Sequence, residues 1–195
     1  MLKKIRTELI RKLIHLLIAL SVPLVAFNRI LTVGLLAGGT LAYVVFELFR
    51  FNGIKIPVVS SLTAMAMRKR DQGRFVLGPV TLGLGALLAL LLFPPPAAAT
   101  AIYALAFGDG LSSLAGRLWG RLRPSFLFGK SVEGSCVCFA AVLVSAYLVT
   151  RGIRPALIGA LAAALVEALP LGDYDNLAIP LVTGLAVTLA LACAV

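Results

Sequence analysis

Long apolar runs separated by short polar breaks dominate the chain. They do not alternate polar and apolar positions as the strands of a membrane β-barrel would, so they indicate helices. A helix that crosses a bilayer needs about 20 apolar residues, and seven runs come near that length. The runs are residues 12–28, 30–49, 75–93, 97–116, 132–150, 155–170 and 177–194. This pattern predicts an all-α, polytopic integral membrane protein with about seven transmembrane helices.

The breaks between the runs contain residues that end helices, such as the three consecutive prolines from Pro94. The first and sixth runs are short, so whether they span the bilayer fully is left open. The small-x-small site Ala19-x-Ser21 lies inside the first run, so we expect that run to be a retained helix rather than a cleaved signal peptide. No linker rich in Ser, Gly or Pro divides the chain, so we expect residues 1–195 to form one membrane-embedded domain.

Composition supports the membrane assignment, because 61% of the residues are hydrophobic and the mean hydropathy is +1.03. A soluble domain of this size has no need of so much apolar surface. The formal net charge of +10 would suggest nucleic acid as the partner of a soluble protein. In a membrane protein, basic residues instead collect in cytoplasmic loops, so no nucleic acid is expected. Anionic lipids or anionic substrates remain compatible with the charge.

The charged residues also predict the orientation. With a cytoplasmic N-terminus, every basic residue except Arg29, Arg151 and Arg154 falls on the cytoplasmic side, which satisfies the positive-inside rule. All 8 acidic residues fall on the same side, although the rule does not require this of carboxylates. They are Glu8, Glu47, Asp71, Asp109, Glu133, Glu167, Asp173 and Asp175. The acid–base and metal-binding capacity is therefore expected to face the cytosol.

Two further patterns concern helix placement. Pro57 opens a segment with apolar residues on one face and Arg68-Lys69-Arg70 at its end, which predicts an interfacial helix. Its basic end suits either an anchor on anionic lipid or a contact with substrate. The small-residue pairs Gly34-x-x-x-Gly38 and Gly83-x-Gly85 predict close packing between helices.

The segment from Phe107 to Gly134 is the best candidate for chemistry. Asp109 is expected in the inner half of the fourth span, and ionisable residues at membrane depth are costly and mostly functional. Gly116 and Gly120 follow on roughly the same helix face, where the absence of side chains would let a bulky ligand approach the backbone. Four basic residues come next and suit phosphate binding: Arg117, Arg121, Arg123 and Lys130.

The fifth run begins with a second anion-binding feature. Ser131 is placed to cap this helix, with Gly134 near its third position and Glu133 between them. A helix N-terminus at the cytosolic interface is itself an anion site. An acid, a basic cluster and a helix N-terminus together suit a metal-bound polyphosphate. The alternative is that residues 117–130 only set the topology, but this would leave Asp109, Glu133 and the glycines unexplained.

A second acidic cluster, Asp173, Asp175 and Asn176, precedes the last run. Its oxygen atoms suit Mg²⁺, and a polar turn with helix capping explains the cluster equally well. Glu167 lies within the sixth run, so it is expected to pair with an arginine or a metal ion.

The first two runs contain candidate polar residues of their own. His15, the only histidine, follows Arg11 and Lys12 at a spacing that places all three on one side of a helix. A site role and a structural role are both open for it. Glu47 could pair with Arg50, three residues later, or take part in a site.

Taken together, these motifs resemble the dolichol kinase and phytol kinase family of CTP-dependent polyprenol kinases, nearly from end to end. The similarity extends over five motifs in the family's order. They are Arg11-Lys12-x-x-His15, Gly73-Arg74-Phe75-x-x-Gly78, Asp109 with Gly116 and Gly120, Lys130-Ser131-x-Glu133-Gly134, and Glu167 with Asp175-Asn176-x-x-x-Pro180. One departure is that Ser112 and Ser113 stand where the family often has an alanine-rich run, which affects the expected substrate preference more than the reaction type.

The resemblance implies transfer of the γ-phosphate of CTP to the hydroxyl of a membrane lipid alcohol, with Mg²⁺, at the cytosolic face. It implies catalytic roles for Asp109, Lys130 and Glu133, with Asp109 accepting the hydroxyl proton. Asp109 and Glu133, together with Asp175, would hold the metal, and Lys130 with Arg117 and Arg121 would hold the triphosphate. The remaining cofactor-binding residues implied are Arg11, Lys12, His15, Gly116, Gly120, Ser131, Gly134 and Asn176.

The acceptor stays open among dolichol, shorter polyprenols, phytol and diacylglycerol. A phosphatidate cytidylyltransferase has a similar Asp, Gly, Gly, Lys-Ser/Thr-x-Glu-Gly pattern, but it usually continues into a His-bearing segment that this chain lacks after His15. A transporter or scaffold would need polar residues along a path through the membrane, and the outer half offers few. We expect a prokaryotic cell-membrane protein whose site faces the cytoplasm, and a homo-oligomer is compatible with the sequence.

Overall fold

The computed structural model describes residues 2–54, 63, 65, 67, 71 and 73–193, with residues 2–6 described by backbone alone. This part of the chain is helical and contains no strand. Nine α-helices are described in it, together with a π-helical turn, Ala104–Asp109, and a short 3₁₀ turn, Ser125–Leu127. The α-helices are α1 Leu2–Ile18, α2 Ser21–Phe27, α3 Arg29–Phe51, α4 Gly78–Leu92, α5 Pro95–Tyr103, α6 Gly110–Leu118, α7 Val132–Thr150, α8 Ile153–Glu167 and α9 Asp175–Ala192.

Five of the seven predicted spans are long and apolar enough to cross a membrane. They are Thr7–Phe27, Arg29–Phe51, Pro95–Leu118, Val132–Thr150 and Asp175–Ala192. The helices at the third and sixth predicted runs, α4 and α8, have 15 residues each and fall short of that length. The coarse prediction of an all-helical membrane protein is therefore confirmed for the described residues, whereas the count of seven spans is not. The predicted interfacial helix at residues 57–70 lies almost wholly outside the described residues.

Helix boundaries follow local chemistry. Asn28 separates α2 from α3, and its side-chain oxygen accepts a hydrogen bond from the Leu31 amide at 3.0 Å, which satisfies an amide at the start of α3. The prolines from Pro94 end α4 and begin α5, as predicted, since proline fits the first turn of a helix but not its interior.

The centre of the bundle is formed by the π-containing span and the C-terminal helix. Pro95–Leu118 is the most buried of the five candidate spans and Arg29–Phe51 the least. Helix α9 packs on α8, α5 and α4, while α3 packs mainly on α4 and α2. Helix α1 reaches the π-helical turn and α6, which brings the N-terminal polar residues beside Asp109.

Small residues allow the closest of these approaches. A Cβ on Gly83 would lie 2.1 Å from Thr40 Oγ1, and a Cβ on Gly85 would lie 2.1 Å from the Asn176 carbonyl oxygen. The predicted packing role is therefore confirmed for this pair. Gly34 and Gly38 have open space where a Cβ would stand, so the close packing predicted for them is not found among the described residues.

Glu47 fixes the segment that leads into α4. Its fully buried carboxylate accepts two hydrogen bonds from Arg50, at 2.6 and 2.7 Å, and one from the Val76 amide at 2.7 Å. Arg50 also donates to the Arg74 carbonyl at 3.0 Å. The predicted Glu47–Arg50 salt bridge is thus confirmed, and the further bonds to Val76 and Arg74 join the C-terminal end of α3 to the segment before α4.

We expect Gly85→Ala to lower the stability of the folded protein by about 1–3 kcal/mol, because the added methyl group meets a backbone carbonyl that cannot move cheaply. The matched control is Gly38→Ala, where the methyl group meets open space and the better helix propensity of alanine should be neutral or stabilising. Thermal unfolding in detergent measures both. Equal melting temperatures for the two variants would contradict the packing described for α4 and α9.

Candidate functional site

Asp109 is the centre of a buried polar cluster between α1 and the π-helical turn. Its Oδ2 accepts a hydrogen bond from Lys12 Nζ at 2.7 Å. His15 Nδ1 lies 3.1 Å from the same oxygen but does not meet hydrogen-bond geometry. Lys12, His15 and Asp109 are each no more than 4% exposed. The buried carboxylate is therefore neutralised by a lysine, as a charge in a low-dielectric region requires.

The π-helical turn shapes the backbone around this carboxylate. The Asp109 carbonyl oxygen accepts hydrogen bonds from Lys12 Nζ at 3.0 Å, Ser113 Oγ at 3.0 Å and Ser112 Oγ at 3.2 Å. Single π-helical turns occur frequently at functional sites. Gly108 lets the turn lie against α7, since a Cβ there would come within 2.9 Å of Val142. The turn thus presents both the side chain and the carbonyl of Asp109 to the cluster.

Glu167, at the end of α8, links this cluster to Lys130. Its Oε1 is 3.3 Å from Lys130 Nζ and accepts from Ser112 Oγ at 3.3 Å, while Oε2 accepts from Ser135 Oγ at 3.2 Å. Lys130 also donates to the Glu167 carbonyl. The partner predicted for Glu167 was an arginine or a metal ion, and among the described residues it is a lysine. Ser112 Oγ lies within hydrogen-bond distance of both the Asp109 carbonyl oxygen and Glu167 Oε1, so it links the backbone at Asp109 to the Glu167 carboxylate.

The loop before α7 is held by Ser131 and Glu133. Ser131 accepts a hydrogen bond from the Gly134 amide at 3.1 Å, which confirms the predicted helix cap. Glu133 Oε1 accepts from the amides of Arg121 and Leu122 at 2.9 and 3.1 Å. Its Oε2 is buried and has no hydrogen-bond partner among the described residues. One carboxylate oxygen therefore orders the loop, while the other is left to bind a donor or a cation.

The glycines of this region bring α6 and α7 together. A Cβ on Gly116 would lie 2.8 Å from Ser131 Oγ, and one on Gly120 would lie 2.6 Å from the same atom. A Cβ on Gly134 would lie 2.9 Å from the Ser112 carbonyl. Ser131 thus occupies the space beside Gly116 and Gly120 that was expected to admit a ligand to their backbone. The glycines position the helix cap beside the cluster.

The arginines after α6 differ in their surroundings. Arg117 donates to Glu8 Oε2 at 2.9 Å. Arg123 donates to the Gly129 carbonyl at 2.6 Å and to the Gly116 carbonyl, which closes the loop between them. The side chain of Arg121 is exposed, and only its backbone amide has a described bond. Arg117 and Arg121 were the arginines expected to hold the triphosphate. In the folded loop, Arg117 and Arg123 are the two that line the cleft described next.

A cleft of about 160 Å³ lies between these groups. Its polar lining is Ser112, Ser113, Arg117, Arg123, Lys130, Ser131 and Glu167. Pockets for a whole drug-sized ligand usually occupy about 300–1,000 Å³. The cleft therefore suits a fragment such as a chain of phosphates, with the rest of a nucleotide outside it. We call it the cationic cleft.

A smaller cavity of about 40 Å³ lies beside His15. Arg11, Asp71 and Asp173 also line it, and Arg11 lies 3.9 Å from Asp173 while donating to Glu8 at 3.2 Å. We call it the histidine cavity. His15 borders this cavity and Ser113 borders the cationic cleft, and both residues contact Asp109. Asp109 itself lines neither space and is connected to them through His15 and Ser113.

The three residues predicted to bind the metal, Asp109, Glu133 and Asp175, do not form one metal site among the described residues. Within the described ranges, no three His, Cys, Asp or Glu side chains are placed to hold one ion. Asp175 stands in the first turn of α9, where a negative charge is favourable. Asn176 donates from Nδ2 to the Gly78 carbonyl at 3.1 Å and to Thr81 Oγ1 at 3.0 Å, so its amide joins α9 to α4. The metal and cofactor roles of Asp175 and Asn176 stay predictions.

Two residues of the cluster, Glu8 and Ser113, had no site role predicted from the sequence. Glu8 and Asp173 are bridged by Arg11, and Ser113 contacts Asp109. Asp173 stood in the second acidic cluster, and Ser113 was noticed only as a departure from the family pattern. The available signal for Glu8 was its position three residues before Arg11, the spacing of an ion pair on one helix face.

Comparison with protein-family models, curated proteins and solved structures found no match to this chain. The resemblance to polyprenol kinases therefore stays a prediction from the motifs.

The Lys12–Asp109 pair generates a test of the cluster. We expect Lys12→Met or Asp109→Asn alone to destabilise the protein by about 3–5 kcal/mol, since each leaves a buried charged group without its partner. The double variant should lose much less than the sum of the two, because no unpaired charge remains. Thermal or denaturant unfolding of all four proteins in detergent measures the coupling. Additive losses would show that the two groups do not interact.

Proposed function

We propose that the protein is a kinase that transfers the γ-phosphate of CTP to the hydroxyl of a membrane lipid alcohol. The observation that carries the proposal is Asp109, a buried carboxylate in contact with His15, which borders the histidine cavity, and with Ser113, which borders the cationic cleft. A phosphoryl-transfer enzyme needs a site for a polyanion and an acid–base group within reach of the acceptor hydroxyl. The preference for CTP comes from the motif resemblance.

The cationic cleft is the proposed donor site. Lys130, Arg117 and Arg123 line it and are suited to the γ- and β-phosphates, and the N-terminus of α7 adds favourable dipoles. Catalysis of this transfer depends mainly on positioning and charge neutralisation. The contacts of Arg123 and Lys130 with backbone carbonyls hold both cations in place before a nucleotide arrives.

Mg²⁺ is the proposed metal. It is usually bound by one or two carboxylates plus substrate phosphates, so a cluster of three protein ligands is not required. Glu133 fits this role best, because its buried Oε2 has no partner among the described residues. The charge of Asp109 is already met by Lys12, so Asp109 ranks behind Glu133 as a ligand. When bound, the ion would neutralise charge on the phosphates.

The acceptor hydroxyl is proposed to enter the histidine cavity. Its oxygen would attack the γ-phosphorus, the bond to the bridging oxygen would break, and CDP would leave. The proton of the hydroxyl would pass to Asp109 through His15, which borders the cavity and whose Nδ1 lies 3.1 Å from the carboxylate. Lys12 would keep Asp109 ionised until the transfer.

The proposal includes the finer topology. All seven apolar segments would be membrane-embedded, with the N-terminus in the cytoplasm, so that the site opens to cytosolic CTP. The positive-inside distribution of basic residues supports this orientation. The membrane would be that of a prokaryotic cell.

We expect the purified protein to transfer label from γ-labelled CTP, in preference to ATP, to a lipid alcohol, with release of CDP. Lys130→Ala should lower kcat/KM by about 100-fold or more, since it removes a cation from the transferring group. Arg121→Ala, in the same loop but outside the cleft, should change it less than about threefold and controls for net charge.

Thermal stability of each variant checks that it is folded. Full CTP-dependent activity in folded Asp109→Asn and Lys130→Ala would contradict the proposed site. Release of pyrophosphate with formation of a cytidylylated lipid would identify a cytidylyltransferase instead.

A further inference from the structure

We infer that the protein binds an anionic phospholipid at the end of the helical bundle opposite the cationic cleft. The site is an apolar pocket of about 290 Å³ between α2, the start of α3, the end of α4, the start of α5 and the end of α7. Its walls include Val22, Val25, Phe93 and Pro95, and among the described residues that line it only Arg29 is charged. We call it the arginine pocket. The inference goes beyond the proposed kinase activity and does not depend on it.

The arginine pocket is remote from both polar spaces of the candidate site. Helix α4 contributes Gly78 to the histidine cavity and Leu90 to the arginine pocket, which places them about 18 Å apart along the helix. Helix α7 contributes Gly134 to the cationic cleft and Val149 to the arginine pocket, about 22 Å apart by the same measure. The pocket is therefore a separate site at the other end of the same helices.

Arg29 is held at this pocket by a contact with α4. Its Nη2 donates to the Leu90 carbonyl at 2.8 Å, which satisfies a carbonyl in the last turn of that helix. Arg29 takes part in none of the ion pairs found among the described residues. A guanidinium group carries several N–H donors in a planar fork that suits phosphate. Its remaining donors can therefore bind an anion without releasing Leu90.

This end of the molecule carries positive charge and no acid. The only charged residues of segments 18–46, 77–108, 134–166 and 176–195 are Arg29, Arg151 and Arg154. In the proposed topology these three arginines are also the exceptions to the positive-inside distribution, so the setting of orientation does not account for them. An anion is the partner that this end of the chain does not supply.

The combination of a guanidinium group with apolar walls selects a phospholipid with a negatively charged head group. Its phosphate would pair with Arg29, and an acyl chain would cover the apolar walls. Phe93 fixes one of these walls, because its ring packs so closely on α9 that a Cβ on Gly184 would overlap it. A free anion would leave the walls uncovered, and a zwitterionic lipid would bring its own cation to the arginine. Basic pockets between membrane helices bind anionic head groups in this way.

Lipid binding to the purified full-length protein tests the site. Protein in neutral detergent is titrated with phosphatidylglycerol or phosphatidylcholine, and native mass spectrometry counts the bound lipid. We expect phosphatidylglycerol to bind about tenfold more tightly. Arg29→Gln should remove this preference, whereas Arg29→Lys, which keeps the charge, should weaken binding about threefold or less. Arg154→Gln is the matched control, because Arg154 is exposed and does not line the pocket.

A second pair of variants tests the apolar part of the site. Ala26→Trp fills the pocket and leaves Arg29 in place, so it should weaken phosphatidylglycerol binding about tenfold. Leu24→Trp, at an exposed position of the same helix that does not line the pocket, should change binding less than about twofold. Thermal unfolding without added lipid checks that each variant is folded. Added phosphatidylglycerol should raise the melting temperature of the Arg154→Gln and Leu24→Trp proteins but not of Arg29→Gln or Ala26→Trp.

Several results would overturn the site. Equal affinity for the two lipids, or equal losses in Arg29→Gln and Arg154→Gln, would show that Arg29 does not select an anion. Displacement of phosphatidylglycerol by an equal concentration of glycerol phosphate would show that the apolar walls contribute nothing. Tighter binding of a free fatty acid would reject a phospholipid as the occupant. Selective phosphatidylglycerol binding without phosphate transfer from CTP would support this site and reject only the kinase.

Discussion

The polar half of the molecule depends on a carboxylate buried within a membrane span. An ionised group is costly there without a partner of opposite charge, so Asp109 requires a cation. Lys12 of α1, 97 residues earlier in the sequence, supplies it. This requirement holds α1 against the π-helical turn and places His15 next to the carboxylate. The histidine cavity exists because α1 is held in that position. The polar network extends from there through Ser112 to Glu167 and Lys130.

Most of the candidate binding groups also have structural partners. Lys130 is held by Glu167, Arg123 by two carbonyls of its loop, and Glu133 by two amides. Such contacts fix the cations before a ligand arrives, which lowers the entropic cost of binding. They also mean that loss of one of these side chains affects both folding and binding. Exposed Arg121 is the exception within the same loop.

Local sequence signals predicted much of the architecture. Apolar run length predicted the helical membrane fold, and the Ser131 cap and the Glu47–Arg50 bridge followed from spacing within one helix. Contacts between distant segments were not accessible in this way. The Lys12–Asp109 pair joins residues 97 positions apart, and the choice of Arg123 over Arg121 depends on how the loop folds back. The length of α4 was overestimated, because the apolar residues Phe75, Val76 and Leu77 precede the helix.

Those two short helices have a consequence for the surrounding bilayer. With 15 residues each, α4 and α8 are about 22 Å long, against a hydrocarbon core of about 30 Å. Their site-side ends are Gly78, at the histidine cavity, and Glu167, at the cationic cleft. In the proposed topology, in which both helices lie in the membrane, lipids beside these ends would thin or draw their head groups inward to avoid exposing polar groups to hydrocarbon. Water would then come closer to Asp109 than the length of its own span suggests, and the local membrane thickness would become part of the proposed site.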